Sequence, residues 1–271
     1  VNEISEADLE YAAAVVGASL SDETDGVMAS AYDATANVGS DGLSYGNGPA
    51  KRGEEHQTER GAMRNATYSY DPATGTHSIS VERSMSNARI TKSLSIAMKH
   101  IFTHESGAFV VQPRVNKDSV NAIYFTSSKS GSEESTRRDG EFIRIDTLSM
   151  SGLSSTATTL VMNGSHYGNG SMTVTTREGT TLNRYHDVFI KLTDVTIDKE
   201  TVRANENLEE GVTGTIDYKM VSYNSAKDDE EVVVEGSITM TGDGTALMNF
   251  KGFAKRAIIN LQNGEFSINN N

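Results

Sequence analysis

From Asn65 to the end of the chain, apolar side chains recur at every second position, in short runs divided by turn residues. A period of two belongs to extended strands, whose neighbouring side chains leave on opposite faces. A chain written this way builds sheets with one dry face and one wet face. The runs begin with Tyr68 and Tyr70, Ile79 and Val81, then Leu94, Ile96 and Met98. Phe109 and Val111, Ile123 and Phe125, Ile143 and Ile145, Leu160 and Met162, and Met172 and Val174 follow. The last third is the most regular: Val188, Ile190 and Leu192 share a face, as do Ile216, Tyr218 and Met220. Val232, Val234, Ile238 and Met240 alternate around Gly236, and Ala246, Met248 and Phe250 come next. Ile258, Leu261, Phe266 and Ile268 close the pattern.

Turn residues fall between these runs, as in Asp71-Pro72-Ala73-Thr74-Gly75 and Thr241-Gly242-Asp243-Gly244-Thr245. Asn263-Gly264 is the dipeptide of a tight type I′ hairpin. The sum is about a dozen strands joined by short connections, an all-β fold. Two architectures fit: a large antiparallel β-sandwich, or an open meander or half-barrel. Composition agrees, because an apolar fraction of 36% without tryptophan suits sheets with a wet face. At 271 residues the core needs no metal or disulfide to stand.

The start of the chain follows a different period. Ser5 can cap a helix while Asp8 reaches back to its amide, with Ile4 and Leu9 placed as a hydrophobic staple. Leu9, Ala13, Val16 and Leu20 continue at helical spacing, with Gly17 as a terminator or weak point. A second helix is expected from Val27 to Ala36. The spacing therefore predicts a helical arm over 1–38, a polar loop or linker over 39–64, and an antiparallel β domain over 65–271.

The charge and residue inventory excludes several functions. A net charge of −13 repels nucleic-acid backbones, and basic residues adjoin only in short pairs such as Lys51-Arg52 and Arg137-Arg138. The absence of cysteine rules out disulfides, thiolate catalysis and cysteine-zinc sites. The chain begins at Val1, as after removal of an export signal, and its Ser/Thr/Asn/Gly-rich strands suit an exported protein. No apolar run reaches the ~20 residues of a membrane-spanning helix.

YGNG occurs twice, at Tyr45–Gly48 and Tyr167–Gly170, with unlike flanks. The first lacks the lysine and hydroxyl of a phosphate loop, since Glu54 and Glu55 stand in their places. The second reads as a strand connection. His100 and His104 would lie about 13 Å apart along a strand, too far for one metal ion. Ser165-His166 and Tyr185-His186-Asp187 hold the residue types of a triad but no nucleophile elbow. Asp22-Glu23-Thr24-Asp25 and Asp228-Asp229-Glu230-Glu231 read as solvated loop charge. Asn65, Asn163 and Asn169 head glycosylation sequons.

These residues nominate no catalytic, cofactor-binding or metal-binding side chain, and the expectation is a non-enzymatic protein without a cofactor. The leading reading is an exported cell-surface or extracellular structural or adhesive β protein. It would act on other copies of itself or on another surface protein, as a filament subunit does. The alternative is a cell-envelope carrier enclosing an apolar ligand in a half-barrel, walled by methionines such as Met98, Met220, Met240 and Met248. A carbohydrate-active β-sandwich enzyme is a more distant alternative, because no pair of carboxylates is nominated. A hollow interior would favour the carrier.

Overall fold

The computed structural model describes residues 4–39, 42–44, 66–86, 90–135, 138–175, 181–225 and 230–269. The first YGNG, Lys51-Arg52, Asn65, Arg137, Asp228 and Asp229 lie outside them. The fold is all-β with short helices, and apart from one two-strand ribbon its described strands form one open antiparallel sheet.

Helix α1 spans Glu6–Leu20 and α2 spans Val27–Thr35. A two-strand ribbon of β1 (Asn37–Gly39) and β2 (Gly42–Ser44) follows. The main sheet then runs in chain order: β3 (Thr67–Asp71), β4 (Thr76–Ser86), β5 (Ile90–Thr103) and β6 (Ala122–Ser135). Its centre is β7 (Arg138–Ser151), β8 (Thr159–Thr175) and β9 (Thr181–Asp198). After a short helix α3 (Lys199–Asn205) come β10 (Val212–Asn224), β11 (Val232–Thr241), β12 (Thr245–Phe250), β13 (Arg256–Asn260) and β14 (Phe266–Asn269). Among the described residues each of these strands pairs only with its sequence neighbours, giving a 12-stranded meander with β3 and β14 as edges. The sandwich is therefore excluded in favour of the open meander.

The expected capping box closes the start of α1. Asp8 N donates to Ser5 Oγ at 3.3 Å, and Ser5 N donates to Asp8 Oδ2 at 2.9 Å. Leu9, Ala13, Val16 and Leu20 are all buried, as their spacing requires. The helix lies on β9, β10, β11, β13 and β14, while α2 lies on β6 and β7. Both helices cover the same inner face and share one core with Ile79, Phe125, Met162, Ile190, Met220 and Ile259. Helix α2 is buried on every side.

Gly17 does not end the helix. It admits the β13–β14 turn, for a Cβ there would sit 2.7 Å from Gly264 O. That turn is also wider than a type I′ hairpin. Only Gly264 takes a positive φ, 76°, and Asn260 Oδ1 accepts from the amides of Gln262 and Asn263. Phe109 and Val111 form no strand beyond one bridge from Phe109 to Thr103. The Phe109 ring instead lies over Gly75 in the β3–β4 turn, where a Cβ would be 2.4 Å away.

Substituting Gly17 by Ala sets two effects against each other. Helix propensity gains about 1 kcal/mol, but the new methyl meets backbone that cannot rotate aside. Overpacking of this kind costs about 1–3 kcal/mol. Gly17→Ala should lower the urea-unfolding free energy, whereas a rise would show that the turn gives way easily.

Candidate functional site

The strongest departure from the alternation expected of a half-buried sheet lies in β7. Ile143 and Ile145 are each 45% exposed on the outer face, while Arg144 and Asp146 point inward. Register carries this inversion across the sheet, because paired residues share a face. One inner row reads Val81, Ile96, Lys129, Arg144, Gly168 and Val188. The row beside it reads Leu94, Gly131, Phe142, Gly170 and His186.

The second YGNG belongs to these rows. Tyr167–Gly170 is the middle of β8, not a strand connection, and Gly168 and Gly170 are its inward positions. Their missing side chains make room for the neighbours. A Cβ on Gly170 would lie 2.5 Å from the His186 ring, and one on Gly168 would lie 2.8 Å from Val188 Cγ1. Phe142 covers Gly131 in the same way, at 2.5 Å. A larger residue at any of the three would push inward side chains toward α1.

Along this glycine-floored strip the sheet and α1 separate. A cleft of about 1010 Å³ opens between Tyr11, Ala14 and Ala18 of α1 and strands β4–β9. Met85 of β4 and His186 of β9 line the same space. On a flat sheet they would be about 24 Å apart at ~4.8 Å per strand. The inner face is therefore concave, and α1 forms one wall of its hollow. Leu94, Phe142 and Met172 add apolar surface.

The polar groups fall into two sets. The first lies under α2, where Lys129 is fully buried with Nζ 3.3 Å from both Asp33 Oδ2 and Ser30 Oγ. Asp146 accepts from Ser30 at 2.7 Å and from Ser127 at 3.3 Å on Oδ2, and Oδ1 lies 2.8 Å from His166 Nδ1. Burial alone would push the Asp146 carboxyl up. The attraction of His166 and Lys129, with hydrogen bonds from His166 and Ser30, outweighs it and holds the carboxyl below its ordinary value.

The second set faces the cleft. Arg144 Cζ stands 5.4 Å from the Phe142 ring centre, and its Nη1 is shielded from solvent with no hydrogen-bond partner. Desolvation draws the guanidinium down to about 10, against the pull of Asp146. Leaving such a donor unmade costs about 1–3 kcal/mol. Tyr11 Oη lies 3.0 Å from His186 Nδ1, and Arg184 Cζ lies 5.0 Å from the Tyr11 ring centre. Burial first, then Arg144, push His186 down to about 4, so it is neutral at pH 7.

The sequence-level candidates scatter. Ser165 is exposed on the face opposite His166, and Asp187 faces away from His186 to accept from Tyr167 at 2.6 Å. Adjacent strand residues cannot converge, so these letters form no triad. His100 is buried beneath α2, donating from Nε2 to Asp33 O at 2.9 Å, while His104 is exposed in the turn after β5. His104 is thus a polar residue at the strand end, and His100 is a core residue. Among the described residues no three His, Asp or Glu side chains gather as a metal site, and no helix is long and apolar enough to cross a membrane. Asp22 is buried rather than solvated. The amide nitrogens of Asn163 and Asn169 donate to Asp194 and Asp187.

Comparison with protein-family models, curated proteins and solved structures returns no match.

The buried imidazoles set a pH dependence whose sign can be worked out. Desolvation lowers His100 from 6.5 to about 4. Below pH 6.5 the unfolded chain takes a proton that the folded protein refuses until about pH 4, so stability falls as pH drops through that window. The loss from His100 is on the order of 3 kcal/mol. His100→Gln should flatten the fall in unfolding free energy from pH 7 to 4 without abolishing it, because His186 and His77 shift the same way. An unchanged slope would remove His100 from this role.

Proposed function

We propose that the protein is a non-enzymatic carrier that holds an apolar ligand between α1 and the inner face of β4–β9. The observation that carries this reading is the hollow itself. Sites for small ligands have volumes of about 300–1,000 Å³, with mostly apolar walls and a few convergent polar groups. The cleft has about that volume, with Ala14, Ala18, Met85, Leu94, Phe142 and Met172 as apolar walls, and Arg144, His186 and Tyr11 stand among polar groups that also include serines and the charged Asp25, Glu82, Lys92, Glu133 and Glu141. The wall is not made of the methionines expected for it. Met98, Met220, Met240 and Met248 are packed in the core, and Met85 and Met172 line the hollow instead. The Ser/Thr-rich strands support an exported protein of the cell envelope.

A second reading, contact with another copy or another surface protein, is supported elsewhere on the molecule. Ile145, Tyr167 and Phe189 are cross-strand neighbours on the outer face, with Tyr185 and Tyr223 paired nearby. Among the described residues, strands β3 and β14 each have one unpaired edge in the main sheet. Light scattering of the purified protein over a concentration series would show association if this surface is used. A mass constant at that of the monomer would count against self-assembly.

The carrier reading predicts saturable, one-to-one binding of the uncharged probe N-phenyl-1-naphthylamine. Ala14 is an exposed α1 position facing the cleft. Ala14→Trp should weaken the probe about tenfold or more by filling the site, with an unchanged melting temperature. A wild-type protein that does not bind the probe, or a variant that binds it equally well, would overturn the reading.

A further inference from the structure

We propose that the ligand is an anionic amphiphile, a single apolar chain ending in a carboxylate or phosphate ester, whose oxyanion head pairs with Arg144. This rests on the carrier reading and adds the chemistry of the head.

Arg144 is the cation that the cleft leaves unanswered. It takes part in none of the ion pairs among the described residues, and its Nη1 has no acceptor. The acids near it are already engaged. Asp146 offers Oδ1 to His166 and Oδ2 to Ser30 and Ser127. Asp33 and Asp25 face Lys129, and Glu133 Oε2 is held by Lys92 at 2.8 Å. His186 carries no charge at neutral pH and has Tyr11 on Nδ1. A guanidinium presents a planar fork of donors that matches a carboxylate or phosphate, and shielding from water strengthens such a pair. The apolar wall of Ala14, Ala18, Met85, Leu94 and Met172 then receives the chain.

Two features oppose an anion. The net charge is −13, and Glu82 and Glu141 stand exposed at the mouth of the cleft. Exposed charges are largely screened beyond ~10 Å at 0.1 M salt. The contact with Arg144 forms out of water, where the same attraction is several times stronger. The interior contact therefore decides binding, and the acidic exterior slows entry.

The test uses the whole chain and displacement of bound N-phenyl-1-naphthylamine by dodecanoate, dodecyl phosphate and dodecanol. In the wild type at least one of the two anions should compete about tenfold to a hundredfold better than the alcohol, as a charge-assisted pair implies. Which anion is stronger separates carboxylate from phosphate. Arg144→Gln should erase that advantage while dodecanol displaces as before, which also shows that the variant is folded. Arg144→Lys should keep part of it. Equal competition by alcohol and anions in the wild type needs no variant and would overturn the headgroup assignment, as would an anion preference that survives Arg144→Gln. Both outcomes leave the carrier reading standing. Failure of the probe and all three competitors to bind would remove the carrier reading itself, and the headgroup assignment with it.

Discussion

An open sheet has an inner face that nothing in the sheet itself covers, and the rest of this structure follows from how two short helices cover it. Laid flat, twelve strands would span roughly 50 Å, against about 10 Å for a helix with its side chains. Curling the sheet brings strands from both halves onto the same two helices. Helix α1 reaches strands from β9 to β14, and α2 fills the hollow over β6 and β7. Small residues make the approach close. Gly17 admits the carbonyl of Gly264, and Ala12 and Ala13 are buried without residual exposure. Where α1 presents the small Ala14 and Ala18, and the strands beneath present Gly140, Gly168 and Gly170, a space is left between the two surfaces. The cleft is the part of the inner face that the helices leave uncovered.

The same strip explains the charged interior. Over most of the sheet the inner face is aliphatic, but β6, β7 and β8 place Lys129, Arg144, Asp146 and His166 there. Burying ions is costly unless each is paired and hydrogen-bonded. Helix α2 meets that demand for two of them, Lys129 through Ser30 and Asp33 and Asp146 through Ser30, while His166 Nδ1 lies against Asp146. Arg144 is in none of the ion pairs among the described residues. It is flanked by Phe142 and His186, and the attraction of Asp146 only partly offsets its desolvation. An unpaired cation beside a hollow with apolar walls is an arrangement that a ligand would complete.

Much of the framework was legible in the linear chain for local physical reasons. The capping box at Ser5 and Asp8, the buried stripe of α1 and the turns at Asp71–Gly75 and Thr241–Thr245 depend on residues a few positions apart. Alternation announced the strands from β4 to β13 wherever inner residues were apolar. It misled in β7, where Ile143 and Ile145 look like core residues until register places them outside. It misled again at Gly168 and Gly170, because glycine in a turn and glycine beneath a crossing side chain are the same letter. The inward rhythm of Gly131, Gly140, Gly168 and Gly170 was the signal that could have revealed the strip, but only once the strands were aligned.

The sequence by itself determined that this is an all-β protein with a helical start, without thiol chemistry, and with an acidic surface. These properties are sums over residues or follow from contacts within a single turn or strand. The tertiary structure decided that the strands form one curved meander, that the helices line its hollow, and that Arg144 stands beside a cleft without an acid to answer it. Those facts depend on which residues meet across distances of up to 249 positions, as between Glu6 and Lys255. A period of two says that a side chain faces one side of a sheet; only the folded chain says what stands on that side.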